Sequence, residues 1–150
     1  MIRRVAEADT EFWMRLAGIH AASFEHGWSA DEFRVMSNAT HNRLYVAESD
    51  GVILSFILLT VVAGEGEILT IATAPDHRGR GHAGGLLKHV AENLVAENAD
   101  SVFLEVAVDN AEALALYSRA GFRSAGVRKA YYSRTGAPAV DAHILRLALD

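Results

Sequence analysis

The chain has 150 residues, 51% of them hydrophobic and 22% charged. That is the balance of a folded domain with a core of its own, and one domain over 1–150 is the expected organisation. A formal net charge of -5 with seven scattered histidines speaks against a nucleic-acid partner, and the lack of cysteine excludes disulfides, thiolate metal ligands and a cysteine-bound acyl intermediate.

Ile2 to Val5 has the composition of a short strand. Asp9 or Thr10 then caps a helix whose inward positions, Phe12, Trp13, Leu16, Ile19 and His20, recur at helical spacing and fade near Ala22. A second helix starts at Ser29, which forms a capping box with Glu32 and turns Phe33 and Met36 inward. Arg43 to Ser49, the Asp50-Gly51 turn and Val52 to Val62 spell a β-hairpin. A turn at Gly64 to Gly66 leads into Glu67 to Thr73, whose lack of a polar face is expected of a strand buried on both sides.

A long amphipathic helix follows over Ala83 to Asn98, with Leu86, Leu87, Val90, Ala91, Leu94 and Val95 on one face. Val102 to Val108 is the next strand, Asn110 caps a helix running to Arg119, and Gly121 suits the left-handed residue that ends it. Arg123 to Tyr131 and Ala139 to Leu149 close the chain as two strands joined by a polar loop around Gly136. The order is β-α-α-β-β-β-α-β-α-β-β, an α/β fold with a mixed sheet. Met1 to Asp9 holds no apolar stretch of signal-peptide length, and the longest apolar run, Val52 to Ala63, is short and carries Ser55 and Thr60. No membrane partner is expected, and the protein reads as cytoplasmic.

The chemistry concentrates between the buried strand and the long helix, where Arg78, Gly79, Arg80, Gly81, Gly84 and Gly85 fall together. Glycines let consecutive amides turn toward one oxyanion, and the helix start adds unpaired N–H groups and its positive end. The alternative is a set of plain turn glycines with two solvated arginines. Gly79, Gly81 and Gly84 formally fit a dinucleotide fingerprint, but at least four strands precede them and no acidic residue ends a strand about twenty positions on. No Gly-Lys-Ser/Thr follows, so a Walker loop is excluded as well.

Arg78, Gly81 and Ala83 match the R/Q-x-x-G-x-G/A signature of the GNAT superfamily of N-acetyltransferases, and Asn110, Ala113, Leu116, Tyr117, Gly121 and Phe122 resemble its N-x-x-A-x-x-L-Y-x-x-x-G-F run. Within that superfamily the chain is most similar to the RimI-type enzymes, which acetylate the α-amino group of ribosomal or other protein N-termini. Phe24 to Phe33 around Trp28-Ser29, Ile71-Ala72, Leu104-Glu105-Val106 and Tyr131-Tyr132 carry that likeness. Departures are the missing proline before Trp28, Ala83 in place of the commoner second glycine, and Val140 to His143 without an acidic pair.

The resemblance implies a GNAT-type, mostly antiparallel sheet flanked by helices, with acetyl-CoA as cosubstrate and no metal. The main chain of Ile71, Ala72 and Thr73 would hold the pantetheine arm, and Arg78, Gly79, Arg80, Gly81, His82, Ala83 and Gly84 the pyrophosphate. Asn110 would either bond the pantetheine or only cap its helix. The central strand is expected to splay from its neighbour at a bulge.

Glu105 aligns with the general base, and burial in an apolar strand is what suits a carboxylate to that role; an ion-paired surface glutamate is the plain alternative. Glu67 is the second candidate base. Tyr117 is the candidate acid for the departing thiolate, against a purely structural tyrosine. Trp28, Tyr131 and Tyr132 are candidates for the acceptor groove.

The implied acceptor is an amine, foremost a protein or peptide N-terminus. About one α-amine in ten is neutral at pH 7 against about one lysine in 2,500, a handicap of about 3 kcal/mol for lysine. A small-molecule amine, a lysine side chain, and a CoA-binding regulatory subunit without turnover remain as alternatives.

Overall fold

The computed structural model describes Met1–Asp150. Its elements run β1 (Ile2–Arg4), α1 (Thr10–Ser23), α2 (Ala30–Asn38), β2 (Asn42–Ser49), β3 (Val52–Val62), β4 (Glu65–Thr73), a 3-10 turn (Pro75–His77), α3 (His82–Ala96), β5 (Ser101–Ala107), α4 (Ala111–Arg119), β6 (Arg123–Arg134) and β7 (Ala137–Ala148). The seven strands form one sheet in the order β1-β2-β3-β4-β5-β7-β6. All neighbours are antiparallel except β4 and β5, which α3 connects as a parallel crossover.

Each face of the sheet carries its own core. On one side α1 and α2 press Leu16 and Phe33 onto Leu44, Val46, Phe56 and Leu58. On the other, α3 sets Leu86, Leu87, Val90 and Leu94 against Ile57, Leu59 and Val102, with Tyr117 and Phe122 added from α4 and its exit. These side chains are almost wholly buried, and each stabilises the fold by about 1.5–3 kcal/mol relative to its exposed state. Leu94 comes close to the start of β4, where a Cβ on Gly66 would lie 3.0 Å from its Cδ1. A side chain there makes Leu94 give way by a few tenths of an ångström, and trimming Leu94 to alanine removes about 2–5 kcal/mol.

Local signals placed the helices. Asp9, Ser29 and Asn110 accept hydrogen bonds from the amides of Phe12, Glu32 and Ala113, and the Ser29–Glu32 capping box is complete. Gly121 ends α4 with φ 99°. Several boundaries differ from the sequence expectation. The turn before β4 is Ala63-Gly64, both at positive φ, so β4 already begins at Glu65. The polar loop around Gly136 is the two-residue turn Thr135-Gly136 between longer strands. Residues of β6 are mostly exposed at the sheet edge, so an apolar period never marked where that strand ended.

The main correction concerns β4. Residues 66, 68, 70 and 72 are buried, whereas Leu69, Ile71 and Thr73 are only half-buried. Its pairing with β5 covers only Glu65, Gly66 and Glu67 against Ser101, Val102 and Phe103. The register to β3 slips between Leu58–Thr70 and Leu59–Ile68, leaving Leu69 as an extra residue. This β-bulge bends β4 and breaks its ladder, so the strands part where a continuous sheet would have covered both faces.

Candidate active site

Two cavities adjoin at the parting of β4 from β5. The first, about 440 Å³, is walled by Ile71–Thr73 of β4, by Arg78, Gly79 and 81–84 of the glycine loop, and by the ends of α1 and α4. Ser55 holds the end of β4 in place: its hydroxyl donates to the Ala72 carbonyl at 2.8 Å and lies 3.0 Å from the Thr73 hydroxyl.

The loop reaches α3 through Gly79 and Gly81 at φ 74° and 83°, a left-handed pair that only glycine adopts at little cost. Gly81 is the N-cap of α3 and, lacking a side chain, supplies no capping bond; α3 also has no acidic residue in its first turn. The other three α-helices have both. Their dipoles and amides are answered from within the chain, whereas the α3 terminus has neither a side-chain cap nor an acidic first turn.

Arg78 straps this loop across the cavity mouth. Its Nη2 donates to the Ser23 hydroxyl at 2.9 Å and to the Ala22 carbonyl at 3.3 Å, at the end of α1. Arg80 is exposed, does not line the cavity, and has its Nη1 3.5 Å from His77 Nδ1. His82, Ala83 and Asn110 do line it.

The second cavity, about 320 Å³, lies between residues 68–71 of β4 and 104–107 of β5, with Tyr132 and Arg134 of β6 on its rim. Ser23, Phe24, Ile71, Asn110, Ala113 and Tyr117 line both cavities, so the two form one cleft. Tyr117 is 6% exposed, and burial first, then Tyr132, raises its phenol pKa well above the usual value. Its proton therefore stays on at neutral pH.

Glu105 lines the second cavity. Its Oε1 meets Arg128 Nε at 3.2 Å, while Oε2 is buried without a hydrogen-bond partner. It is thus ion-paired and at the cleft at once. Tyr132 donates to the Glu105 carbonyl at 2.9 Å, holding β6 to β5 beside it. Glu67, the last β4 residue paired to β5, is exposed and lines neither cavity.

Of the aromatic groove candidates, Tyr132 reaches the cleft. Trp28 packs on His20 and Phe33, and Tyr131 lies exposed under the Arg128 guanidinium. Sequence reasoning missed Ser23, Phe24 and Arg134. No local pattern marks them, because they reach the cleft only when α1 and β6 fold back over β4 and β5. No group of three or more His, Asp or Glu side chains is gathered to hold a metal, and no helix is long and apolar enough to cross a membrane.

Comparison with known proteins bears on the family and the fold. The family model described as "Acetyltransferase (GNAT) family" matches residues 13–122. The [ribosomal protein bS18]-alanine N-acetyltransferase of Escherichia coli K12 is 31% identical over 120 residues, covering 79% of this chain and 81% of that protein. The N-alpha-acetyltransferase RimI of Mycobacterium tuberculosis is 33% identical over 138 residues, or 88% and 84% of the two chains. The crystal structure of the E. coli ribosomal-protein-S18-alanine N-acetyltransferase superposes with a TM-score of 0.87 at 27% identity, over 100% of this chain and 95% of that one. A Bacillus subtilis acetyltransferase solved with CoA shares the fold at a TM-score of 0.77 and 18% identity. With its mixed sheet, its parted central strands and a family match over most of its length, the chain belongs to the GNAT acetyltransferases and is an acetyl-CoA-type N-acetyltransferase.

Proposed function

We propose that this enzyme acetylates the α-amino group of protein or peptide N-termini, with Glu105 as base and Tyr117 as acid. One observation carries the reading: a single cleft joins the uncapped α3 terminus at one end to a carboxylate and a protonated phenol at the other. Two relatives at 31% and 33% identity whose names state alanine N-acetylation or N-alpha-acetylation support the choice of acceptor.

Acetyl-CoA supplies an activated acetyl thioester. The chain fits it through the left-handed glycines, the uncapped helix and the open edge of β4 beyond Glu67. Amides of Gly81 to Gly84 and the guanidinium of Arg78 would face the pyrophosphate, with the main chain of Ile71–Thr73 along the pantetheine arm. Arg80, outside the cavity, would add field rather than contact.

Glu105 accepts the proton that the amine sheds as its nitrogen bonds to the acetyl carbon. Tyr117 gives its phenolic proton to the sulfur as the carbon–sulfur bond breaks. A base beside an apolar strand is sufficient for an α-amine, about a tenth of which is neutral at pH 7.

The test follows CoA thiol release from acetyl-CoA with paired peptides, one with a free N-terminal alanine and one N-terminally blocked but containing lysine. Release with the first alone is expected. Release only with the lysine peptide or with spermidine would keep the acetyltransferase and discard the N-terminal acceptor.

A further inference from the structure

His20 is a polar side chain in the apolar layer beneath the sheet, 3% exposed, and transfer chemistry as described makes no use of it. Both its nitrogens are engaged. Nδ1 accepts from the main-chain N–H of Trp28 at 3.0 Å, which puts the ring proton on Nε2, 3.1 Å from the Thr70 hydroxyl. The ring stacks on Phe24 at 4.4 Å between centroids and meets Phe33 edge-on at 5.2 Å. Burial draws its pKa down to about 4, with the Glu32 carboxylate of α2 acting weakly the other way, so the ring is neutral under ordinary conditions.

Its two partners belong to two segments that line the cleft. Thr70 follows the bulged residue Leu69 in the stretch of β4 that has left β5, and it lines the second cavity. Trp28 lies in the connection from α1 to α2, whose earlier residues Phe24 and Glu25 line the same cavity. A bulge without a β5 partner and a connection without regular structure are both soft. A neutral imidazole that donates to one and accepts from the other fixes the distance between them.

From this geometry, and resting on the transfer reading above, we infer that His20 is a positioning residue: it locks the β4 bulge to the α1–α2 connection and so sets the width of the cleft that receives the acceptor amine.

The experiment compares His20→Phe, His20→Asn, His20→Gln, Thr70→Val and the His20→Phe/Thr70→Val double variant, using acetyl-CoA and a hexapeptide with a free N-terminal alanine. Phenylalanine keeps the aromatic packing and loses both hydrogen bonds. It is expected to lower kcat/KM for the peptide about ten-fold, with KM for acetyl-CoA little changed. Adding Thr70→Val to His20→Phe costs little more, because the pair acts as one unit. Asparagine restores only the acceptor facing Trp28, and glutamine only the donor facing Thr70, so each recovers part of the loss.

Two readings need no acceptor at all. Imidazole ¹⁵N shifts report the Nε2–H tautomer in the wild type, and hydrogen exchange of the Trp28 amide is slow in the wild type and His20→Asn but fast in His20→Phe. Additive single-site losses, an equal rise in KM for acetyl-CoA, or unchanged Trp28 exchange in His20→Phe each overturn the inference. If the wild type acetylates spermidine and not the peptide, the N-terminal reading fails while the same cycle run on spermidine still judges His20.

Discussion

At the scale of single residues the cleft poses two separable questions, who gives the proton and who takes it. Tyr117→Phe keeps the buried ring and its edge-on contact with Phe122 but removes the phenolic proton, so kcat is expected to fall about 10²-fold with the coenzyme still bound. Stopped assays across pH 6–9 check this, and full kcat throughout would make Tyr117 a packing residue. The same substitution has a stability signature. The folded pKa of Tyr117 lies above the unfolded value of 10.0, so the folded chain holds a proton that the unfolded chain releases. That contribution is complete below pH 10 and is lost as pH rises toward the folded pKa. Urea melts of the wild type should therefore weaken above pH 10 by about 1.4 kcal/mol per pH unit more than those of Tyr117→Phe. For the base, Glu105→Gln is expected to lower kcat about 10²- to 10³-fold, and Glu67→Gln to leave it nearly unchanged because Glu67 lines neither cavity. Equal activity of Glu105→Gln and wild type would return the role to Glu67 or to solvent. Residue types were legible in the sequence; the Arg128 partner of Glu105 was not, because it arrives from β6 through β7.

Among the elements, α3 shows most directly what its glycines are for. Gly81 sits at φ 83° and has a conformational reason to be glycine, whereas Gly84 lies within the helix and meets only Leu116 Cδ1, at 4.0 Å from a Cβ placed there. Alanine fits at 84 without a clash and improves helix propensity by up to about 1 kcal/mol. Gly84→Ala should therefore raise Tm while weakening acetyl-CoA binding, since its methyl stands in the cavity wall. Thermal melts with and without acetyl-CoA, together with calorimetric titration, check both signs; tighter binding would remove the loop from the coenzyme site. Helices and the first hairpin were legible because caps, turn dipeptides and a 3.6 period are local signals. The ends of β6 and β7 were not, because an exposed edge strand carrying Arg123, Arg128, Lys129 and Arg134 has no apolar alternation to mark it. A bulge in the central strand was expected from the family resemblance, but its position at Leu69 escaped for another reason: it is a mismatch between two strands, and neither strand contains it alone.

For the whole molecule, the parting of β4 and β5 divides one sheet into β1–β4 and β5–β7–β6, held together by three residue pairs, by α3 and by the core on the α3 face. Beyond Glu67 and Phe103 the main chains of β4 and β5 no longer pair with each other, and the Glu105 carbonyl takes the Tyr132 hydroxyl instead, a loss of ladder bonds the fold carries to keep an open edge. A ligand lying along that edge completes the ladder and ties the halves, so binding should be felt as global stability. At about a hundred-fold excess over Kd, acetyl-CoA should add about 2.7 kcal/mol, which in a chain of this size raises Tm by about 5–10 °C. NAD should give no such rise, because it has no pantetheine arm to lie along the β4 edge. Hydrogen exchange locates the effect: amides of residues 71–73 that face the cleft should slow on acetyl-CoA binding, while those pairing β2 with β3 change only with global stability. A Tm rise without local protection along the gap would place the coenzyme elsewhere. Protection confined to α3 and the glycine loop would show that the phosphates alone are held, and that the thioester is not brought between Tyr117 and Glu105.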